Sequence, residues 1–215
     1  VREPNRTVAA LLAPSDPTSV PEIAPQNRIR EFDTLDELLT GGLADDPDAI
    51  AVVDRRHPVP GSGVSLTNSD LDRLATFTAR SLIEAGIGPG DVVVALLPRS
   101  VFGVLATVAV ARAGAAFVNV DPADPAGRRQ MIIERCRPRA VVTLAATAES
   151  VTGGIPVLAL DELLARHTDS VANAADSLPF AAAERVRPLS VDDVAYITFT
   201  SGTTGLPKGC LLYTS

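Results

Sequence analysis

Short runs of uninterrupted apolar residues alternate along this chain with segments of helical periodicity, and this alternation restricts the fold. Such runs are typical of strands buried on both faces, because a strand with one face in water alternates apolar and polar residues. Parallel strands joined by helices give this order along a chain. The sequence therefore predicts an α/β fold, a layered and mostly parallel sheet with flanking helices. The predicted strands are residues 91–97, 116–120, 139–143 and 194–200.

Segments of helical periodicity separate these strands. Residues 101–113 form one segment, and Pro125 begins another that ends near Cys136. Ahead of the first strand, an amphipathic helix begins at Ser69 and ends at the glycine-rich turn of residues 86–90. The face of that helix predicted to be buried consists of Leu71, Leu74, Ala75, Thr78 and Leu82.

Elements with weaker patterns lie at both ends of this region. A helix near residues 32–39 ends at a pair of glycines, and residues 48–54 are predicted to form a strand. Residues 156–160 are predicted to form a short strand, followed by a helix from Asp161. Residues 171–188 are rich in alanine and are expected to form a connection on the surface.

Composition divides the chain into three parts. Residues 1–31 contain five prolines and little sustained periodicity, which predicts a linker. Residues 32–209 contain the predicted strands and helices. Residues 210–215 (CLLYTS) resemble translated adapter sequence more than a native continuation, so we expect a doubtful, non-native tail there.

The charge distribution argues against nucleic acid and membrane partners. The net charge is −7 with the acidic residues spread along the chain, so we expect no basic surface for nucleic acid. The longest uncharged apolar run lies between Arg99 and Arg112, well short of the ~20 residues that a membrane span needs.

Cysteine and histidine usage predicts neither disulfides nor a metal site. Cys136 and Cys210 are the only cysteines, which fits a reduced, cytoplasmic protein. Neither cysteine lies in a C-x-x-C pattern. His57 and His167 are isolated, and we place both in polar, exposed loops.

The segment that ends the last predicted strand combines three glycines, four hydroxyl side chains and one lysine. Glycines tolerate positive φ and let backbone N–H groups turn toward an anion. Hydroxyls donate hydrogen bonds to phosphate oxygens, and a lysine adds a compact positive charge. Open α/β sheets bind ligands at the carboxyl ends of their strands. We therefore predict a phosphate-binding loop whose residues are Thr200, Ser201, Gly202, Thr203, Thr204, Gly205, Lys208 and Gly209.

Two other interpretations of this loop are weaker. A flexible surface turn would also be rich in glycine, serine and threonine, but the density of matched residue types directly after a strand favours phosphate binding. The P-loop of nucleoside triphosphatases needs glycine before its lysine and serine or threonine after it. Here Pro207 and Gly209 occupy those positions.

Residues 196–209 (YITFTSGTTGLPKG) resemble the signature of the adenylate-forming superfamily. That superfamily includes acyl-CoA synthetases, luciferases and the adenylation domains of nonribosomal peptide synthetases. Residues 65–82 are similar to its first core motif, and residues 111–143 to its second, in the form usual for peptide synthetases. The leader before residue 32 is similar to the linker between a condensation domain and an adenylation domain.

Two positions depart from the family pattern. Asn119 stands where peptide synthetases usually have a proline. After Gly209 the family generally continues with a small apolar residue and then a histidine, and residues 210–215 contain no histidine.

The resemblance implies a ligase that activates an amino acid as aminoacyl-AMP and loads it onto a phosphopantetheine carrier for nonribosomal peptide synthesis. Residues 32–209 would be a partial N-terminal core of such an adenylation domain, with the loop holding the β- and γ-phosphates of ATP. The implied partners are an amino acid substrate, a carrier domain and a condensation domain, in the same or a partner chain.

The resemblance also implies that the fragment is inactive alone. The family's catalytic lysine, the acidic ligand of Mg²⁺ and the acyl pocket belong to later segments, so no catalytic residue and no metal ligand is predicted here. Two alternatives stay open: a stand-alone acyl- or aryl-CoA or acyl-AMP ligase, and a truncated, non-catalytic fragment that at most binds nucleotide.

Asp121 and Asp124, together with Arg128 and Arg129, have two interpretations. They could form a paired-carboxylate site, but a capped helix start with a solvated charged face is favoured.

Overall fold

The computed structural model describes residues 34–43, 45–55, 64–169, 178–200 and 208–213. The structural statements that follow concern those residues. The predicted linker of residues 1–31, His57 and residues 201–207 of the predicted loop lie outside them.

Six strands form the main sheet, and its topology confirms the predicted α/β class. In chain order these strands are β3 (Val92–Leu96), β4 (Ala116–Val120), β5 (Ala140–Thr143), β6 (Val157–Ala159), β7 (Val194–Thr200) and β8 (Lys208–Tyr213). Their spatial order is β6-β5-β3-β4-β7-β8. All neighbouring pairs are parallel except β7 with β8, which is antiparallel. The four predicted strands are present within one residue at each end.

Helices cover both faces of this sheet. They are α1 (Leu35–Thr40), α2 (Asn68–Glu84), α3 (Val101–Ala113), α4 (Ala126–Cys136), α5 (Ala145–Ala148) and α6 (Leu160–Asp169). Val93 and Ala95 of β3 lie in an apolar cluster with α2 and α3, whereas Val94 and Leu96 lie in a second cluster with α4. The strand is uniformly apolar because both of its faces are buried.

The start of α2 follows directly from its first residues. Thr67 accepts a hydrogen bond from the N–H of Asp70 at 3.1 Å, and the Asp70 carboxylate accepts one from the N–H of Thr67 at 3.3 Å. This reciprocal pair is a capping box. The five side chains predicted to share the inner face of this helix are all buried.

A separate antiparallel pair, β1 (Ile50–Asp54) and β2 (Val64–Thr67), precedes α2. The strand β1 was predicted from the sequence, but β2 was not, because its four residues carry too little periodicity to be recognised before a helix. This strand pair also positions the start of α3. Asp54, the last residue of β1, accepts a hydrogen bond from the N–H of Val101 at 3.2 Å and so caps that helix.

Two predictions need correction. Lys208 and Gly209 were assigned to the loop but belong to β8, because Lys208 pairs with Thr200 across the hairpin. His167 was placed in a polar loop but lies in α6, where Leu160, Leu163 and Leu164 are buried and supply the amphipathic face. The short helix α5 was not predicted. Residues 178–188 run largely over the surface, as expected.

A substitution at Gly114 tests the packing at the C-terminus of α3. The φ of 88° at this glycine is left-handed, and a Cβ there would lie 2.7 Å from Cγ of Pro89. We expect Gly114→Ala to lower the free energy of unfolding by about 2 kcal/mol. Gly127→Ala in α4 is the control, because its Cβ would contact nothing within 4 Å. It should raise stability by up to about 1 kcal/mol, and equal urea midpoints for the two variants would contradict the packing described.

Candidate nucleotide-binding site

The predicted phosphate-binding loop connects β7 to β8 at the carboxyl edge of the sheet. Because β7 runs parallel to β3 and β4, the carboxyl ends of the three strands lie at the same edge. Thr200 ends β7 and is the Cα partner of Lys208, the first residue of β8. The hairpin ladder therefore fixes both ends of the loop. Ser201, Gly202, Thr203, Thr204 and Gly205 lie outside the described residues, as do the side chains of Thr200 and Lys208.

Gly209 lies in β8 opposite Phe199. A Cβ on Gly209 would lie 3.3 Å from Cζ of the Phe199 ring, tighter than ordinary contact. Phe199 and Ile197 in turn pack against the apolar cluster that contains α4. The glycine therefore has a packing role at the base of the hairpin, in addition to the phosphate contact predicted from the sequence.

Aromatic stacking holds β7 beside its parallel neighbour. The rings of Phe117 on β4 and Tyr196 on β7 are stacked with centroids 5.3 Å apart and an interplanar angle of 10°. The same two residues are Cα partners in the ladder. Such a pair adds about 0.5–1.5 kcal/mol beyond the apolar area it buries.

An open cleft of about 960 Å³ lies at the same edge, at the carboxyl ends of β3 and β4. Its charged lining consists of Asp54, Arg55, Arg99, Asp121, Asp124 and Arg128. The lining contains three arginines and three aspartates, so these side chains give the cleft no net charge with which to select an anion. The phosphate-binding prediction therefore depends on the loop rather than on the cleft.

The four charged residues lie around the start of α4, as favoured from the sequence, but the predicted cap is absent, because Pro125 occupies the N-cap position and no side chain caps the helix. Asp121 accepts a hydrogen bond from the N–H of Ala123 at 2.9 Å, and Asp124 pairs with Arg128 at 3.6 Å. Arg129 donates to the carbonyl oxygen of Asp124 at 2.6 Å. These contacts give each carboxylate a local structural partner. In the described part of the chain, no group of three or more His, Cys, Asp or Glu residues could hold a metal ion.

Comparisons with known proteins identify the family. A sequence model of the AMP-binding enzyme family matches residues 42–215. The chain belongs to the AMP-binding enzyme family.

Curated relatives of this AMP-binding family member include peptide synthetases. The chain is 38% identical over 181 residues to CymA of Salinispora arenicola, named a probable non-canonical nonribosomal peptide synthetase; the match covers 83% of this chain and 2% of CymA. It is 33% identical to novobiocin biosynthesis protein H of Streptomyces niveus, with 85% of this chain and 29% of that protein covered. The chain thus spans a small share of the curated relatives it matches.

A solved peptide synthetase has the same fold. The structure of the nonribosomal peptide synthetase FmoA3, in its form with α-methyl-L-serine-AMP bound, aligns with a TM-score of 0.65 and 25% identity. The alignment covers 84% of this chain and 18% of FmoA3. These matches confirm the resemblance to adenylate-forming enzymes, while the individual phosphate-binding residues remain a prediction. None of the described helices is long and apolar enough to span a membrane.

Cys136, the last residue of α4, offers a test of how this helix packs against the sheet. Burial raises the pKa of Cys136 to about 11. The thiolate is the reactive form, so alkylation of Cys136 should be slow at pH 8 and rise about tenfold per pH unit up to pH 10. The rate is measured with iodoacetamide in a Cys210→Ser variant, which removes the exposed thiol. A rate that levels off by pH 9 would contradict this environment.

Proposed function

We propose that this chain supplies the phosphate-binding part of an ATP-dependent adenylation domain of a nonribosomal peptide synthetase. The domain would activate an amino acid as aminoacyl-AMP and load it onto a phosphopantetheine carrier. The observation that carries the proposal is the SGTTGLPKG sequence directly after Thr200, the last residue of β7, at the carboxyl edge of the sheet, in a chain that belongs to the AMP-binding family. CymA and FmoA3 support the peptide-synthetase assignment, the latter with an aminoacyl adenylate bound.

The loop would act by binding and orientation. In the proposed reaction, a carboxylate oxygen attacks the α-phosphorus of ATP, the bond to the bridging oxygen breaks, and pyrophosphate leaves with the electron pair. Backbone N–H groups, hydroxyls and Lys208 would hold the β- and γ-phosphates in line and meet the charge that grows on the leaving group. Lys208 has no covalent role in this scheme.

Lys208 is unusual among the cationic residues of the chain. It is the only lysine of the sequence, and the other 18 basic residues are arginines. A chain of net charge −7 repels an anion at long range, so a local cation is needed where phosphates bind. The family also implies Mg²⁺, but the described residues contain no cluster of His, Cys, Asp or Glu that could hold it.

The proposed partners are an amino acid, a carrier domain and a condensation domain in the same or a partner chain. ATP-dependent chemistry and two free cysteines favour a cytoplasmic location. A stand-alone acyl- or aryl-CoA or acyl-AMP ligase is the alternative, because membership of the AMP-binding enzyme family does not by itself distinguish the two. The kind of carboxylic acid that stimulates the reaction distinguishes a peptide synthetase from a stand-alone ligase.

Lys208→Ala in the full-length enzyme should lower ATP-dependent pyrophosphate exchange by a factor of about 10–100. That range corresponds to loss of one charge-assisted contact of ~1.5–3 kcal/mol. Thr203→Ala and Thr204→Ala should each have smaller effects, because neutral donors are weaker and water partly replaces them.

Arg166→Ala is the matched control for Lys208→Ala, since Arg166 is an exposed cation on α6. It should leave exchange unchanged. Wild-type exchange in Lys208→Ala would refute phosphate binding by this loop. Stimulation by one or a few amino acids supports the peptide-synthetase assignment, whereas stimulation only by a fatty or aryl acid supports the alternative.

The 215-residue chain alone should give no carboxylate-dependent pyrophosphate exchange. The resemblance places the catalytic lysine, the Mg²⁺ ligand and the acyl pocket in segments that this sequence does not contain. Robust exchange by the purified chain would overturn this assignment of the missing parts.

A further inference from the structure

A surface segment, residues 178–193, leads directly into β7, and we call it the strap. Its first half is held by α2. Arg80 donates to both carboxylate oxygens of Glu184, at 2.7 and 3.1 Å, and to the carbonyl oxygen of Leu178 at 3.1 Å. This anchor lies near the surface, and it fixes residues 178–184 without reaching β7.

The centre of the strap has a second, buried anchor. Arg185 donates to Asp36 of α1 at 2.5 Å and to the carbonyl oxygen of Arg112 in α3 at 2.8 Å. The side chains of Arg185 and Asp36 are only 8% and 11% exposed. Arg112 completes the cluster, with its Nε 3.6 Å from Asp36, and the Phe180 ring lies over both guanidinium groups.

The end of the strap is a closed turn. Arg187 pairs with both carboxylate oxygens of Asp193 at 2.6 and 2.9 Å, and the N–H of Ser190 donates to the same carboxylate at 2.8 Å. Val194, the next residue, begins β7. The chain from Arg185 to β7 is therefore a short, internally bonded link rather than a slack connection.

This link matters because β7 has a short ladder to the parallel part of the sheet. Among the described residues, β3 and β4 are in register over five Cα pairs, whereas Phe117 and Tyr196 are the Cα partners between β4 and β7. A slip of β7 by one residue would move its carboxyl end by ~3.3 Å and exchange its two faces. Such a shift would displace the loop relative to the edge of β3 and β4.

We propose that Arg185 is a positioning residue that sets the register of β7, and with it the place of the phosphate-binding loop, through its pair with the buried Asp36. The inference rests on the proposed function of that loop. A buried ion pair adds little net stability compared with apolar packing, but it allows one geometry only, and register control is its best-attested use. Burial raises the pKa of Asp36, and the guanidinium groups of Arg112 and Arg185 offset only part of that shift.

The test compares two methionine variants of the full-length enzyme, at a temperature where both are folded. Arg185→Met removes the buried anchor and keeps an unbranched apolar stem, whereas Arg80→Met removes only the outer anchor. We expect Arg185→Met to raise the KM for ATP in pyrophosphate exchange about tenfold, with the KM for the carboxylic substrate within twofold of wild type. Arg80→Met should leave both within twofold.

Hydrogen exchange provides a readout that needs no nucleotide. Amides of residues 194–200 should exchange at least tenfold faster in Arg185→Met than in Arg80→Met. If Arg185→Met does not fold, Asp36→Asn takes its place with the same expectations, since it removes the charge and keeps the shape.

The outcomes separate this proposal from the function on which it rests. A folded Arg185→Met or Asp36→Asn enzyme with wild-type KM for ATP and unchanged exchange in β7, while Lys208→Ala is impaired, overturns the positioning role alone. If Lys208→Ala has wild-type pyrophosphate exchange, phosphate binding by the loop is refuted, and the positioning role that rests on it is refuted as well. An equal rise in the KM for both substrates marks a general loss of structure and also overturns the positioning role.

Discussion

Burial of both faces of β3 is the constraint on which the other elements depend. Val93 and Val94 point into opposite apolar clusters, and neither is accessible to water. Each buried aliphatic side chain of this size contributes about 1.5–3 kcal/mol, but only while a helix covers its side of the sheet. Layers of helices on both faces are therefore obligatory. The parallel order follows, because each connecting helix returns the chain to the same end of the sheet.

The elements that sequence reasoning predicted are those whose pattern is local. The four uniformly apolar strands and the inner face of α2 needed only the periodicity of their own residues. β8 could not be recognised in this way, since Lys208 and Gly209 are poor strand residues that become extended by pairing with β7. The cluster of Arg185 with Asp36 joins residues 149 positions apart, and no local pattern signals such a contact.

The candidate site divides in the same way, into residue types that the sequence shows directly and supporting contacts between residues far apart in the chain. Residue types alone predicted where phosphates would bind, because glycines, hydroxyls and one lysine suit an anion wherever the chain places them. What the fold adds is the support: a hairpin that ties both ends of the loop, the Phe199 ring packed against Gly209, and the strap at the opposite end of β7. These supports decide how rigidly the loop can be presented, and rigidity determines how well fixed donors act on a leaving group.

The place of β8 in the sheet has a consequence for handling the polypeptide. In the described part of the chain, β8 pairs on one side only, with β7, and its Leu211 and Tyr213 side chains are exposed. A strand edge with unpaired N–H and C=O groups and apolar side chains is a template for addition of another strand. Neither charge nor proline blunts its last four residues, CLLY. In the 215-residue chain this edge is therefore open to the addition of another strand, whatever the stability of the parallel core.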